Sequence, residues 1–217
     1  DKDWMWELGE ALLKEKVGLM WNCNTRVNLF SEKDEPLLRL LHRAGLVRMS
    51  FGIETGSPKI LKNMGKTGVT PEKARSTLRL VRNSGIRATA SMLLGFPGES
   101  AETIGETVEF CKENLLYPSF YLLQPFPGTD VYERYVRETY DEEAYLELIS
   151  DYREGERFPI NLTELSDDEL MRLRGKAEET MKQFHFGHYV RYHGWDTPRR
   201  LWRDAGNELR RLRSGSV

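Results

Sequence analysis

Four short stretches concentrate the residue types that could do chemistry: Cys23-Asn24-Thr25-Arg26, Gly52-Ile53-Glu54-Thr55, Gly95-Phe96-Pro97-Gly98-Glu99 and Gln124-Pro125-Phe126-Pro127-Gly128-Thr129. A carboxylate such as Glu54 can accept two hydroxyl donors at once. Lys66 follows it by twelve residues, and a flexible ammonium suits a single anionic group. Ser91 offers a hydroxyl that donates and accepts. Gly95 and Gly98, on either side of Phe96-Pro97, allow a backbone to approach a ligand closely. Each residue also has a plainer reading. Glu54 reads as a solvated turn carboxylate, Lys66 as an exposed lysine between Gly65 and Gly68, and Ser91 as a small polar filler. Arg26 reads as half of an ion pair, since a buried charge needs a partner, and Pro125 and Pro127 as strand terminators.

Other reactive side chains point to structure rather than chemistry. Cys23 and Cys111 are the chain's two cysteines. A lone thiol is more often a small buried hydrophobe than a ligand. His185, His188 and His193 sit among aromatics in HFGHYVRYH with no carboxylate at close spacing, which favours helix packing over metal binding. The arginines from Arg199 to Arg213 read as a solvated helix face.

The stretches that must carry these residues alternate in type. Val17–Asn22, Leu46–Ile53, Ile86–Leu94 and Ser119–Gln124 are apolar runs of strand length. Between them lie helical patterns. Leu37, Leu38, Leu41 and Ala44 precede Gly45, and Ser57–Met64 forms a short turn of helix. Thr70-Pro71 opens a helix with Ala74, Leu78 and Val81 inward, and Gly85 ends it. Ser100 opens another with Ile104, Val108 and Cys111 inward. Strands separated by helical crossovers make a parallel sheet, and chemistry in such sheets gathers at the carboxyl ends of the strands. All four stretches named at the outset fall at those ends. Beyond Thr129 an acid-rich segment, a capping box at Ser166-Asp167-Asp168-Glu169 and an arginine-rich end predict a helical extension.

The 217 residues carry 32 basic and 34 acidic side chains, a net charge of −2. That balance argues against a dedicated nucleic-acid binder. No apolar run reaches the roughly 18 residues of a membrane span. The two cysteines make no disulfide framework, which favours a reducing cytoplasm. Asp1–Lys16 reads as a helix, with Trp4, Leu8, Ala11 and Leu12 on one face. A helix from the first residue, with no initiator Met, predicts that the chain is part of a longer protein.

The succession Trp21-x-Cys23-x-x-Arg26, Ala44-Gly45-Leu46-Val47 through Phe51-Gly52-Ile53-Glu54-Thr55-Gly56-Ser57, Ile60-Leu61, Lys66, Leu94-Gly95-Phe96-Pro97-Gly98-Glu99-Ser100 and Pro125-Phe126-Pro127-Gly128-Thr129 resembles the radical S-adenosylmethionine (SAM) superfamily. It looks most like the branch with an upstream cobalamin domain. The resemblance implies an α/β fold: the last four βα units of a partial (β/α) barrel over residues 1–135, followed by a helical extension over 136–217. It implies a parent enzyme that uses a [4Fe–4S] cluster to cleave SAM to a 5′-deoxyadenosyl radical, as a cobalamin-dependent methyltransferase or a rearrangement enzyme. The expected partners are the upstream part of the same protein, a small-molecule or peptide substrate, and an electron donor such as a flavodoxin or ferredoxin. By resemblance, Glu54 and Ser91 contact the SAM ribose and Lys66 its carboxylate. Arg26 points into the cavity. Gly95, Pro97, Gly98, Gln124 and Pro125 meet the adenine with their backbone. The family's Cys-x3-Cys-x2-Cys cluster motif is absent from the chain, so the cluster ligands are expected outside it and this chain alone is expected to be inactive. The alternative is a nucleotide-binding or scaffold module that keeps the half-barrel without the cluster.

Overall fold

The computed structural model describes residues 1–66, 68–150 and 160–193, with side chains as far as His188. Four strands, β1 (Trp21–Thr25), β2 (Leu46–Glu54), β3 (Arg87–Leu94) and β4 (Tyr117–Leu122), form one parallel sheet in sequential order. The crossovers are helical: α2 (Glu35–Arg43) follows β1, α3 (Pro58–Asn63) and α4 (Pro71–Asn83) follow β2, and α5 (Ala101–Glu113) follows β3. Helix α1 (Lys2–Lys14) precedes the sheet, while α6 (Asp130–Tyr135), α7 (Glu142–Ser150) and α8 (Asp167–His193) follow it. The sequence supplies their starts. Thr70 caps α4, with Pro71 in its first turn. Ser100 and Thr103 exchange side chain-to-backbone hydrogen bonds in a capping box on α5.

Strand periodicity divides the sheet into two unlike faces. Met49, Phe51, Ile53, Ala88, Ala90, Met92, Leu94, Phe120 and Leu122 are buried on one face. They share a core with Leu38 and Leu41 of α2, Leu78 and Val81 of α4, Ile104 and Val108 of α5, and Leu170, Leu173 and Met181 of α8. Burying each such aliphatic side chain contributes about 1.5–3 kcal/mol. The other face carries Asn22, Asn24, Ser50, Gly52, Thr89, Ser91, Ser119 and Tyr121, which are exposed or half-buried.

Strand β4 is an edge with blocked backbone groups. Phe120 O accepts from Arg174 Nε at 3.2 Å, and Leu116 O accepts from His185 Nε2. Backbone polar groups alternate in direction along a strand, so the position between them also faces outward, and Pro118 offers no N–H there. His185 stacks on Tyr117 at 3.8 Å, with Arg87 over the other side of that ring. This is the packing role expected of His185. His193's side chain and the Arg199–Arg213 cluster lie outside the described residues.

Three expectations shift. The first strand starts at Trp21, not Val17: Lys16 (φ 50°) and Gly18 (φ 68°) are left-handed, so Val17–Met20 crosses over and stays exposed. The fourth strand is Tyr117–Leu122 rather than Ser119–Gln124, which puts Gln124 in the loop beyond it. Helix α1 turns Met5, Leu8, Gly9 and Leu12 inward, leaving Trp4 and Ala11 exposed. Gly9 sits against Leu40 so tightly that an added Cβ would meet it at 3.1 Å.

Candidate functional site

The open face of the sheet carries the site at its carboxyl end. Gly52 of β2 pairs with Ser91 of β3, and Ser91 with Ser119 of β4. A bulge then shifts the β2 register between Gly52 and Glu54, and Glu54 takes a left-handed backbone (φ 72°). Such a conformation costs a non-glycine residue about 1 kcal/mol or more and collects at functional sites. Bulges re-aim side chains in the same places. Here the two together fold the carboxylate back over Gly52, where a Cβ would lie 2.9 Å from Glu54 Oε1. Glu54 and Ser91 therefore share one face with only a side-chain-free residue between them. A carboxylate and a hydroxyl so placed can take a pair of vicinal hydroxyls from a ligand.

Lys66 reaches over from the segment after α3 and donates from Nζ to Glu54 Oε1 at 2.9 Å. The side chains are 34% and 25% exposed, so the pair is worth no more than about 1 kcal/mol and either partner can be drawn away by a ligand. The sequence put Lys66 and Glu54 on different parts of one ligand, whereas in the structure they hold each other. Arg26 follows β1 directly and is exposed, with no ion pair among the described residues.

The turn after β3 is built around Glu99. Gly95 (φ 97°) donates its N–H to Glu99 Oε2. Glu99 is 3% exposed, and its Oε1 has no partner among the described residues. Burial pushes its carboxyl up to about 7, against the opposing hydrogen bonds from the Gly95 and Phe96 backbone. Asn63 of α3 donates to Pro97 O at 3.2 Å, tying α3 to this turn beside Gly98. Ile60, Phe96 and Leu123 form a small apolar cluster, with Leu93 packed against it. Beyond β4, Tyr145 of α7 is fully buried and bonds to both Pro125 O (2.7 Å) and Gln124 Nε2 (3.3 Å). Neither Tyr145 nor Asn63 was marked by the sequence, where each is one polar residue in a helical run.

The cysteines stand apart from this site. Cys23 pairs with Met49 and packs against the core on the helix-covered side, away from the open face even though its stretch falls at a strand's carboxyl end. Cys111 is buried in α5, where burial pushes its thiol up to about 12. Among the described residues, no three His, Cys, Asp or Glu side chains are grouped to hold a metal. The described residues therefore offer no thiolate set for an iron–sulfur cluster, while Glu54 and Ser91 offer a carboxylate and a hydroxyl on the open face.

The model of the radical SAM superfamily matches residues 4–111. The chain belongs to the radical SAM superfamily. Among curated relatives, bacteriochlorophyllide d C-12(1)-methyltransferase of Chlorobaculum tepidum is 33% identical over 54% of this chain and 26% of its own length. Anaerobic magnesium-protoporphyrin IX monomethyl ester cyclase of Rubrivivax gelatinosus is 31% identical over 58% of this chain and 23% of its own length. The matched part thus spans about a quarter of these curated relatives. Among solved structures, coproporphyrinogen III oxidase of Escherichia coli has a TM-score of 0.58 at 14% identity, covering 85% of this chain and 37% of that one. The radical SAM methyltransferase TsrM of Kitasatospora setae, solved with cobalamin and a [4Fe–4S] cluster, has a TM-score of 0.51 at 24% identity, covering 60% of this chain and 24% of that one. At these identities the two structures speak for the fold: the four βα units are a segment of the radical SAM barrel. No helix among the described residues is long and apolar enough to cross a membrane.

Proposed function

We propose that this chain is the SAM-holding wall of a radical SAM enzyme whose [4Fe–4S] cluster is bound by cysteines the chain does not contain. The single observation that carries the proposal is the bulged, left-handed Glu54 beside Ser91 on the open face. In this reading Glu54 and Ser91 hold the two ribose hydroxyls. Lys66 leaves Glu54 for the carboxylate of SAM, and Arg26 supplies a second cation at the mouth. Gly95, Pro97 and Gly98 present backbone to the adenine, as do Gln124 and Pro125. Reductive cleavage of SAM belongs to the cluster, and no residue here is assigned to it.

Relatives named as methyltransferases and a cyclase support methyl transfer or ring closure for the whole protein. The cobalamin bound in TsrM supports a cobalamin domain beside this one. The division at residue 135 into barrel and helical extension is part of the proposal. So are a small-molecule or peptide substrate, a flavodoxin or ferredoxin as electron donor, and a cytoplasmic location.

The test is an amide NMR titration of the full chain with SAM and with adenosine. Shifts should concentrate at residues 52–54, 91, 95, 96, 98 and 124, and Glu54→Gln should weaken both ligands. Shifts confined to the helix-covered side, or no binding at millimolar ligand, would refute the assignment.

A further inference from the structure

We propose that the amino end of the open face is a second binding site, where Arg48 and Arg87 hold a phosphate group. The site lies at the opposite end of the strands from Glu54 and Ser91 and does not depend on the function proposed for them.

Arg48 of β2 and Arg87 of β3 are register partners. In a parallel sheet their side chains therefore leave the same face one strand spacing apart, about 4.8 Å. Both are exposed. Like charges placed directly opposite one another weaken a sheet, and neither arginine has an ion-pair partner among the described residues. The sheet brings them no acid of its own. Glu54 is the single acidic residue in the four strands. It folds back over Gly52, roughly 13 Å along β2 from Arg48, and is held there by Lys66. Two facing guanidinium groups with nothing to neutralise them call for a dianion. The phosphate of a monoester carries that charge, and its oxygens match the paired N–H donors of arginine.

Arg87 is set in advance. Its guanidinium carbon lies 4.0 Å from the centroid of the Tyr117 ring, which stacks on His185 at 3.8 Å. A guanidinium fixed by a ring keeps its N–H donors for a ligand. The register shift beside Asn22 marks a bulge next to Arg48, and bulges re-aim side chains. Asn22, the partner of Arg48, and Ser50, next along the same face, add an amide and a hydroxyl. A ligand body has room as well. A groove of about 680 Å³ runs along β4, lined in part by Tyr117, Ser119 and Tyr121 and by Lys182 and His185 of α8. That is the size of a small-molecule site, and Tyr117 joins it to Arg87.

The experiment titrates the full chain at constant ionic strength with inorganic phosphate and with phenyl phosphate, read by amide NMR. Shifts should saturate and centre on residues 22, 48, 50, 87 and 117. Tighter binding of phenyl phosphate, with shifts at 119 and 121, supports the site and identifies an organic monoester as the source of the group. Equal affinities support the site and identify free phosphate. Arg48→Gln and Arg87→Gln should each weaken phosphate about tenfold. In phosphate-free buffer Arg48→Gln should leave the melting temperature unchanged or raise it, because a like-charge contact is relieved. An arginine with a structural role would lower it. Arg79→Gln, an exposed arginine of α4, should leave phosphate affinity as it is. Shifts that spread over surface cations without saturating, an equal loss in Arg79→Gln, or wild-type affinity in folded Arg48→Gln overturns the proposal.

Discussion

Gly52→Ala should separate the site from the fold. Gly52 is not held in a left-handed conformation, so alanine fits its backbone, but the new Cβ would lie 2.9 Å from Glu54 Oε1. That is well inside the roughly 3.5 Å at which nonbonded heavy atoms settle. The carboxylate, a flexible end, must swing away and loosen its 2.9 Å contact with Lys66. Losing a half-exposed ion pair costs at most about 1 kcal/mol. Replacing glycine inside a strand returns about 0.5–1 kcal/mol of backbone entropy. The two offset each other, so the melting temperature should move by no more than about 4 °C. Ligand binding should respond differently. Charge-assisted hydrogen bonds from ribose hydroxyls to a displaced carboxylate are worth about 1.5–3 kcal/mol, so adenosine affinity should fall about tenfold to a hundredfold. Dideoxyadenosine, which has no such hydroxyls, should bind both proteins alike. Melting by circular dichroism and titration by NMR measure the two effects. A melting temperature lowered by more than about 10 °C, or unchanged adenosine affinity, would refute the reasoning.

Three further outcomes follow from the same geometry. Because burial raises Glu99 from 4.5 to about 7, the folded chain holds that proton more tightly than the unfolded one. The contribution of Glu99 to stability should therefore be fully present below pH 4.5 and fall by about 3 kcal/mol as pH rises through 7; Glu99→Gln should flatten this fall in urea unfolding measured across pH 4.5 to 8. Gly56→Ala should destabilise by about 3 kcal/mol, since its Cβ would meet Phe110 Cβ at 2.5 Å and Thr107 Cα at 2.9 Å; urea unfolding reads this directly. Anaerobic iron–sulfide reconstitution of the chain should yield no stoichiometric cluster and no 5′-deoxyadenosine, because its two thiols lie on the helix-covered side of the sheet. One cluster per chain would contradict that placement.

Much of this architecture is legible because local signals agree with tertiary ones. The caps at Thr70 and Ser100 fix helix starts to the residue, and alternation from Ala88 to Leu94 gives the buried face of β3 correctly. The same alternation places Ser91 opposite that face. Legibility fails where apolar residues do not mark a strand. Val17–Met20 is apolar but bent by two left-handed residues. Tyr117-Pro118 extends β4 despite its proline because the outer edge needs no donor there. Within the site, residue types point to Glu54, Lys66 and Ser91, but not to the contact of Lys66 with Glu54. That contact depends on a bulge and a left-handed turn that no propensity encodes. Tyr145 is harder still, since its hydroxyl is held by a carbonyl 20 residues away in sequence.

The blocked edge of β4 makes growth of the sheet a one-way matter. With Leu116 and Phe120 carbonyls occupied and no N–H at Pro118, a fifth strand finds no continuous ladder on that side. Any additional strand, whether from the same protein or another copy, has to join beside β1. A grafting or fusion experiment on this half-barrel therefore has a direction built into it: new βα units are tolerated ahead of β1, while units appended after β4 must first displace Arg174 and His185.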